Sequence, residues 1–590
     1  MSMADPQLPI ANRDVTQQHL NEFLAWLKEN GAILEGLSFG ADKSGMNGVI
    51  LTKDFENDQT YATIPFKLMI TEPLVRQRYP QLNGLSSRAV MSLFLSNEWQ
   101  KGAESFWMPY LSAIPNRIMT SMMFDEQDLQ ILQGTNLQLG TISRRNFLYS
   151  EYEKIVEILP EPERKGFTWE VCLWGYTAIS SRAFPYRLID GKAEGEMMVP
   201  LADSFNHDPN VKVTWSGKGT PESGALDLIT REPLKSGNQL FTTYGPKSNE
   251  ELLLGYGFCI KDNPYDYVVL KPNFSQDPDA DIKQQILQDC NLLSQTDKDR
   301  ELVYFVTKDN IPEDLLAVFR VLVMNSTETE NYMSADRREL LDFVGYRNEF
   351  AMLNTLATLL NYKMQSLLGT EPNLPEPQPW QQDALEYRAG QVRVTTAAKA
   401  SVAHTQKQLM VRMQSNFRRG QIAKIWPFLG ILNPDDSEIL SKSYKDQVET
   451  AEKLENNVLL TVEEAFRLDE DFATALQEGY PRESIDPSDE EAPDFEGIYM
   501  MLVLIRERSK AQSKWRRFLN QIPSEIAEDD QQDEYILNIH TSIIQQTLMP
   551  SYPAIFDPSV FTYQALLWAD LVCQVHSVHT ENDTVTIVPM

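Results

Sequence analysis

Residues 199–210 read Val-Pro-Leu-Ala-Asp-Ser-Phe-Asn-His-Asp-Pro-Asn, which sets Asp203, Asn206 and His207 within one short stretch. Residues 241–258 read Phe-Thr-Thr-Tyr-Gly-Pro-Lys-Ser-Asn-Glu-Glu-Leu-Leu-Leu-Gly-Tyr-Gly-Phe and add Tyr244, Tyr256 and Phe258. Upstream, Ser181-Arg182-Ala183-Phe184 supplies a guanidinium of the kind that grips a carboxylate in a bidentate pair. Further upstream, Ser44-Gly45-Met46-Asn47-Gly48-Val49 is a loop whose glycines let backbone approach a ligand. Each feature also has a plain structural use. Asn-His before Asp-Pro suits a turn, an Arg can form a surface ion pair, a Tyr can end a core strand, and a Gly loop can simply turn. The four cysteines, Cys172, Cys259, Cys290 and Cys573, are scattered with no CxxC spacing, which speaks against a disulfide framework and a structural zinc site. No metal site is expected.

An Asn-His pair followed at this spacing by a Tyr-Gly step resembles the core of SET-domain protein methyltransferases. The run Lys-Ser-Asn-Glu-Glu-Leu-Leu-Leu-Gly-Tyr-Gly-Phe narrows the resemblance to the branch of the Rubisco large-subunit lysine methyltransferase and its eukaryotic relatives. The resemblance implies an α+β fold: a SET-domain β-fold with a helical insert, followed by an all-helical substrate-binding lobe. It implies S-adenosyl-L-methionine as cofactor and methyl transfer to a protein lysine. Such a transfer needs the nucleophile collinear with the sulfonium and uncharged, so an apolar channel must lower the lysine pKa. Positioning alone can supply roughly 7–11 kcal/mol.

The same resemblance assigns roles. Tyr244 belongs beside the methyl group and the incoming nitrogen, where its hydroxyl orients the nucleophile and stabilises the transferring methyl. Gly45, Met46, Arg182, Asn206, His207 and Tyr244 fall at cofactor-binding positions. Phe184, Tyr186, Asp203, Tyr256 and Phe258 fall at substrate-binding positions. The segment around Asn206 is expected to thread beneath a loop in a knot-like arrangement. The loop holding Gly45 and Gly48 departs from the family's Gly-x-Gly step by one extra residue. A histidine-methylating neighbour of this branch carries an Asn shortly after the Arg and a Trp just before the Asp. Here those positions are Phe184 and Ala202, which look like the lysine-methylating members. Protein-histidine methylation and a non-catalytic SET-fold scaffold are the alternatives.

The chain has 590 residues, 42% of them hydrophobic, enough for several domains and a sizeable core. Its formal charge of −31 repels nucleic acid and favours a basic, lysine-bearing protein segment as substrate. No apolar run has membrane-spanning length, and Met-Ser-Met-Ala-Asp-Pro-Gln reads as neither secretory signal nor transit peptide. A monomer in the cytoplasm is expected, with the nucleus as the alternative compartment.

Elements must bring these residues together. Apolar spacing predicts helices over 14–30, 167–184 and 381–419, and strands over 49–52, 211–215 and 225–229. Ile311-Pro312-Glu313-Asp314 starts another helix. Domains are expected at 15–270 (SET with insert), 276–450 (helical lobe), 451–496 (acidic linker) and 497–590 (helical tail). The tail contains an echo of the insert. Ser513-Lys514-Trp515 matches Ser105-Phe106-Trp107, and Phe561-Thr562-Tyr563 through Trp568 matches Phe167-Thr168-Trp169 through Trp174. Val588-Pro589-Met590 stands where the first copy has Val199-Pro200-Leu201, and His576 where it has Arg182. The tail therefore reads as the first part of a second SET unit, dispensable for methyl transfer, with a cut near Glu478 expected to leave an active protein.

Overall fold

The computed structural model describes residues 14–42, 45–191, 194–221, 223–273, 279–293, 302–334, 341–369, 372, 374–418, 460–481, 495–520, 522, 534–579 and 585–587. Two compact units emerge: Met1–Val268 with Gln365–Val394, and Val269–Met364 with Thr395–Met590. The division differs from the expected one at residue 270, because residues 365–394 pack with the SET-like part.

In the first unit, the helix Gln17–Glu29 opens on a capping box in which the Thr16 hydroxyl accepts from the His19 amide. It buries Phe23, Trp26 and Leu27. Its strands among the described residues include β1 Ile33–Leu34, β2 Leu37–Ala41, β3 Asn47–Leu51, β4 Thr60–Pro65, β5 Ile70–Thr71, β6 Ala183–Pro185, β7 Glu196–Met198, β8 Asn206–His207, β9 Val213–Lys218, β10 Ala225–Thr230 and β11 Phe241–Thr242. They form small sheets, in the orders β1-β4-β10-β9, β2-β3, β5-β7-β6 and β11-β8. Pairing is antiparallel except for β11 on β8, where Phe241 lies opposite Asn206 and Thr242 opposite His207. That parallel contact joins the two motif stretches. Between β5 and β6 lies the helical insert. Its helices Ser87–Gln100 and Trp169–Arg182 pack closely, with Gly175 against Ser92.

The helix Pro379–Arg418 starts in this unit, two residues before the predicted start. Trp380 donates to Asp128 at 2.9 Å, and the Tyr387 hydroxyl donates to Glu250 at 2.7 Å. In the second unit, the helix Glu313–Leu322 presents Arg320 to Glu349 in a buried bidentate pair at 2.6 and 3.1 Å.

The tail has its own core, which includes Leu460, Phe472, Leu476, Tyr499, Leu502, Trp515, Phe561 and Trp568. The expected linker is folded in part. Helices Val462–Leu468 and Glu470–Gly479 contribute Val462, Ala465, Phe472 and Leu476 to that core. Their acidic residues dominated the composition and hid an apolar helical stripe. A cut near Glu478 would split this core, so the boundary belongs before residue 460. The acidic stretch 482–494 and the Val588-Pro589-Met590 echo lie outside the described residues.

Insert and tail share local geometry in chain order. Thr71 caps a helix by accepting from Leu74 at 3.4 Å, and Thr461 does so from Glu464 at 3.1 Å. The Trp107 amide donates to Ser105 Oγ at 3.3 Å, and the Trp515 amide to Ser513 Oγ at 3.2 Å. Thr168 accepts from Val171 at 3.4 Å, and Thr562 from Ala565 at 3.1 Å. Trp174 and Trp568 are both buried. Each closing helix runs into an antiparallel pair of three-residue strands: Ala183 opposite Met198 in the insert, Ser577 opposite Ile587 in the tail. The tail thus carries strands as well as the expected helices.

Gly175 and Ala569 occupy equivalent places in their helices. A methyl on Gly175 would lie 2.7 Å from Ser92 Cβ and 2.8 Å from Ser92 Cα, and backbone cannot swing away. Gly175→Ala should therefore lower the free energy of urea unfolding by about 1–3 kcal/mol from overpacking. That strain outweighs the gain of up to ~1 kcal/mol in helix propensity. Ala569→Gly should also destabilise the tail, through an opened core and lost propensity.

Candidate functional site

The site grows from the β8–β11 contact. Because β11 lays Thr242 against His207, the next turn swings Tyr244 over the imidazole. The Tyr244 amide donates to His207 Nδ1 at 3.1 Å, and the two rings stack at 4.8 Å with 14° between planes. Tyr256 stacks on the other face of Tyr244 at 4.5 Å and 16°. Phe258 stands edge-on to this column, 6.4 Å from Tyr244 and 6.3 Å from His207. Offset aromatic packing of this kind is worth about 0.5–1.5 kcal/mol per pair beyond burial. Tyr256 and Phe258 reach the column because the helix Asn249–Gly255 is short. A Ser248–Glu251 capping box starts it, and Gly257, at φ +83°, turns the chain back.

The Tyr244 hydroxyl donates to the Phe205 carbonyl at 2.8 Å. Burial pushes its pKa up to about 12, so the phenol stays protonated at neutral pH. With its hydrogen committed, the oxygen retains its acceptor capacity.

Behind Tyr244 lies a buried charge. The Asp203 carboxylate is fully enclosed. Tyr110 donates to its Oδ2 at 2.6 Å, and Arg182 Nη1 lies 3.5 Å from the same oxygen. Arg182 Nη1 also donates to the Asp203 carbonyl at 2.8 Å. Burial raises the Asp203 pKa, while Arg182 and Tyr110 oppose the shift. Leu201, at φ +76° and ψ −52°, makes the tight turn that brings Ala202 and Asp203 inward. This is a costly conformation for a residue with a Cβ. Asp203 therefore supports Arg182 and presents no open face to a substrate, unlike its expected role. Arg182 Nε is buried without a hydrogen-bond partner among the described residues.

Phe184 packs on Trp215 at 4.5 Å, and Ala202 is buried. Tyr186 begins a 3-10 turn, its amide bonded to the Gly195 carbonyl at 2.9 Å. Gly45 takes φ +85° between β2 and β3, which only glycine adopts readily. Met46 is half-exposed, its amide held by Asp42 at 3.0 Å. Asn206 donates through Nδ2 to the Asn47 carbonyl at 2.9 Å, joining the Gly loop to β8. A cavity of about 400 Å³ lies nearby, lined by Asp42, Tyr61, Val213, Thr230, Gln239 and Phe241 among others. Ser44 lies outside the described residues.

Tyr110, Trp215 and Gln239 escaped the sequence reading. Tyr110 sits in the run Trp107-Met108-Pro109-Tyr110-Leu111, yet nothing local says that it reaches a carboxylate 93 positions away. Among the described residues no group of His, Cys, Asp and Glu side chains could hold a metal ion, and no helix is long and apolar enough to cross a membrane.

Residues 275–393 match the family described as Rubisco LSMT substrate-binding. The chain is 29% identical over 384 residues to the ribosomal lysine N-methyltransferase set10 of Schizosaccharomyces pombe, covering 62% of this chain and 68% of that protein. It is 25% identical over 334 residues to the actin-histidine N-methyltransferase of Xenopus tropicalis, and spans 56% of that relative's length. Among solved structures, the SET domain of LSMT bound to methyllysine and AdoHcy superposes with a TM-score of 0.57 at 22% identity, covering 66% of this chain and 93% of that one. Rubisco LSMT bound to AdoMet gives 0.56 at 20% identity, with coverage of 66% and 93%. At these identities the structural likeness is one of fold.

Burial lowers the His207 pKa below its usual 6.5, against smaller raising effects of the Thr242 backbone and Asp208. A depressed pKa means that the unfolded chain binds the proton first. Stability is then full above pH ~6.5 and falls as pH drops through the lowered folded value. Protonated Nδ1 also cannot accept from the Tyr244 amide. The urea midpoint should fall between pH 7.5 and 5.5 by more in the parent than in His207→Gln, whose side-chain oxygen can still accept. Equal losses in both proteins would exclude His207 as the titrating group.

Proposed function

We propose that this chain, which has the SET-domain fold and substrate-binding lobe of the Rubisco large-subunit methyltransferase-like branch, is an S-adenosylmethionine-dependent protein methyltransferase whose target is lysine. The observation that carries the reading is the stacked column His207–Tyr244–Tyr256, with the Tyr244 hydroxyl anchored on the Phe205 carbonyl.

The residues fit the cofactor. Arg182 has a buried Nε that is unpartnered among the described residues, suited to a carboxylate. Thr242, opposite His207 in the β11–β8 pair, has a buried hydroxyl that is likewise unpartnered among the described residues. Asn206 and residues 45–48 provide amide and backbone groups for the amino acid end. When bound, S-adenosylmethionine supplies a methyl group on a sulfonium, which an amine nitrogen takes up as the carbon–sulfur bond breaks.

The protein's own part is orientation and dryness. His207 and Tyr256 clamp the Tyr244 ring from both faces, and the Phe205 carbonyl fixes the hydroxyl hydrogen. The remaining lone-pair capacity of that oxygen accepts from the incoming amine, aligning it, and faces the positive charge of the transferring group. Tyr256 and Phe258 beside Tyr244 offer an apolar surround that disfavours the ammonium form of a lysine and lowers its pKa.

Two observations favour lysine over histidine as the target. Phe184 against Trp215 makes an apolar wall, and Ala202 is a small residue where a histidine-methylating neighbour has Trp. Similarity to the ribosomal lysine enzyme points the same way, while similarity to the actin-histidine enzymes keeps the second reading in play. A net charge of −31 suits a basic protein partner. Incubation with labelled cofactor and either ribosomal fractions or actin, followed by acid hydrolysis, distinguishes the two. Methyllysine is expected, and methylhistidine as the sole product would overturn the lysine reading.

Tyr244→Phe should reduce turnover about 10²–10³-fold, the usual effect of losing one transition-state contact. Its affinity for S-adenosylmethionine should stay near that of the parent in calorimetry. Asn206→Ala should weaken S-adenosylmethionine binding by on the order of 1.5–3 kcal/mol. An unchanged dissociation constant would make Asn206 a purely structural residue.

A further inference from the structure

Gln239 does two jobs with one side chain. Its Oε1 accepts from Asn206 Nδ2 at 2.5 Å. Its Nε2 donates to Asp42 Oδ2 at 3.1 Å and approaches the Met46 carbonyl at 3.4 Å. Gln239 is 6% exposed, so these bonds form away from water and are costly to break. Its backbone lies on β3, bridged to Ile50, and the following Leu240 amide donates to the Val49 carbonyl at 2.8 Å.

The chemistry of the neighbours dictates which way both amides point. Asp42 and the Met46 carbonyl accept only, so they face the Gln239 amino group. The Gln239 oxygen must then face a donor, which is the Asn206 amino group. That amino group also serves the Asn47 carbonyl at 2.9 Å, so both of its hydrogens are used inside the protein. What Asn206 can offer a ligand is its carbonyl oxygen, the acceptor that an ammonium group needs.

The same side chain accounts for the spacing of the loop. A Cβ at Gly48 would lie 2.6 Å from Gln239 Oε1 and 3.1 Å from Asn206 Nδ2. The second glycine is thus required by Gln239 itself. The loop between Gly45 and Gly48, one residue longer than a Gly-x-Gly step, is drawn shut by Asp42. Asp42 accepts from the Met46 amide at 3.0 Å and donates its own amide to the Met46 carbonyl at 2.9 Å.

We propose that Gln239 is a positioning residue for the cofactor. It sets the amide orientation of Asn206 and ties Asp42 to Met46 in one step, compensating for the longer spacing between Gly45 and Gly48. This rests on the cofactor reading above, and the experiment separates the two. Gln239→Ala and the near-isosteric Gln239→Glu are compared with the parent, Asn206→Ala and the double variant Gln239→Ala/Asn206→Ala. Calorimetry with S-adenosylmethionine gives the dissociation constant, and hydrogen exchange without ligand reads the loop.

Gln239→Ala should raise the dissociation constant about 10–100-fold, the effect of a broken buried hydrogen-bond link. KM for the protein substrate should stay unchanged. Gln239→Glu should lose as much, because it sets a carboxylate against Asp42. The double variant should lose less than the sum of the two single losses, since part of the effect of Gln239 passes through Asn206. Amides of Met46 and Gly48 should exchange faster in both Gln239 variants while the melting temperature of the whole fold holds. Unchanged cofactor affinity in Gln239→Ala, fully additive losses in the double variant, or unchanged exchange would each overturn the proposal. A parent protein that does not bind S-adenosylmethionine would overturn the cofactor reading instead, and exchange would still decide whether Gln239 latches the loop.

Discussion

The enclosed carboxylate of Asp203 constrains everything around it. Removing such a charge from water costs several kcal/mol unless donors meet it. The donors come from two places far apart in sequence: Tyr110 from the insert and Arg182 from the end of the long insert helix. The helix Trp169–Arg182 must therefore end where it does, and the insert must fold back over the strand segment that precedes β8. The Leu201 turn, unfavourable by itself, persists because these contacts over-determine it. Arg182 is held so that one nitrogen serves Asp203 and another is left over.

From that anchor the site builds outward in layers of decreasing polarity. The charge lies behind, Arg182 and the Phe205 carbonyl come next, then the Tyr244 hydroxyl, then the rings of Tyr256 and Phe258. A neutral phenol is useful at this junction because burial keeps it protonated. It can give its hydrogen to the backbone and still accept from a nucleophile. The low-dielectric wall beyond it makes each remaining dipole count for more than in water.

The tail reuses the insert's packing without its chemistry. A cap threonine, a Ser-x-Trp turn, a Phe-Thr helix start with a buried Trp six residues on, and a short strand pair recur in the same order. The tail's helix ends on His576 where the insert's ends on Arg182. Its position equivalent to Gly175 is Ala569, buried in the tail core. Caps and helix-packing residues are what a stable helical layer needs, so they recur, while the helix ends differ at Arg182 and His576.

The sequence by itself determined what is local. Asn206-His207 and Tyr244-Gly245 are legible because short motifs carry their own turn chemistry. The helices over 17–29, 169–182 and 379–418 are legible because apolar spacing and caps are properties of neighbouring residues. Even the partial repeat can be seen as a pattern of Trp, Thr and Phe. What only tertiary structure decided is which distant groups meet. Asp203 reads in sequence as a substrate residue, yet it is enclosed, because its surroundings come from residues 110 and 182. Gln239 reads as an ordinary polar residue before a strand, yet it holds two parts of the site together, because strand pairing sets it between Asp42 and Asn206. Acidic composition suggested a linker where residues 462–479 are helical, because burial depends on the face that an apolar stripe finds and not on average charge.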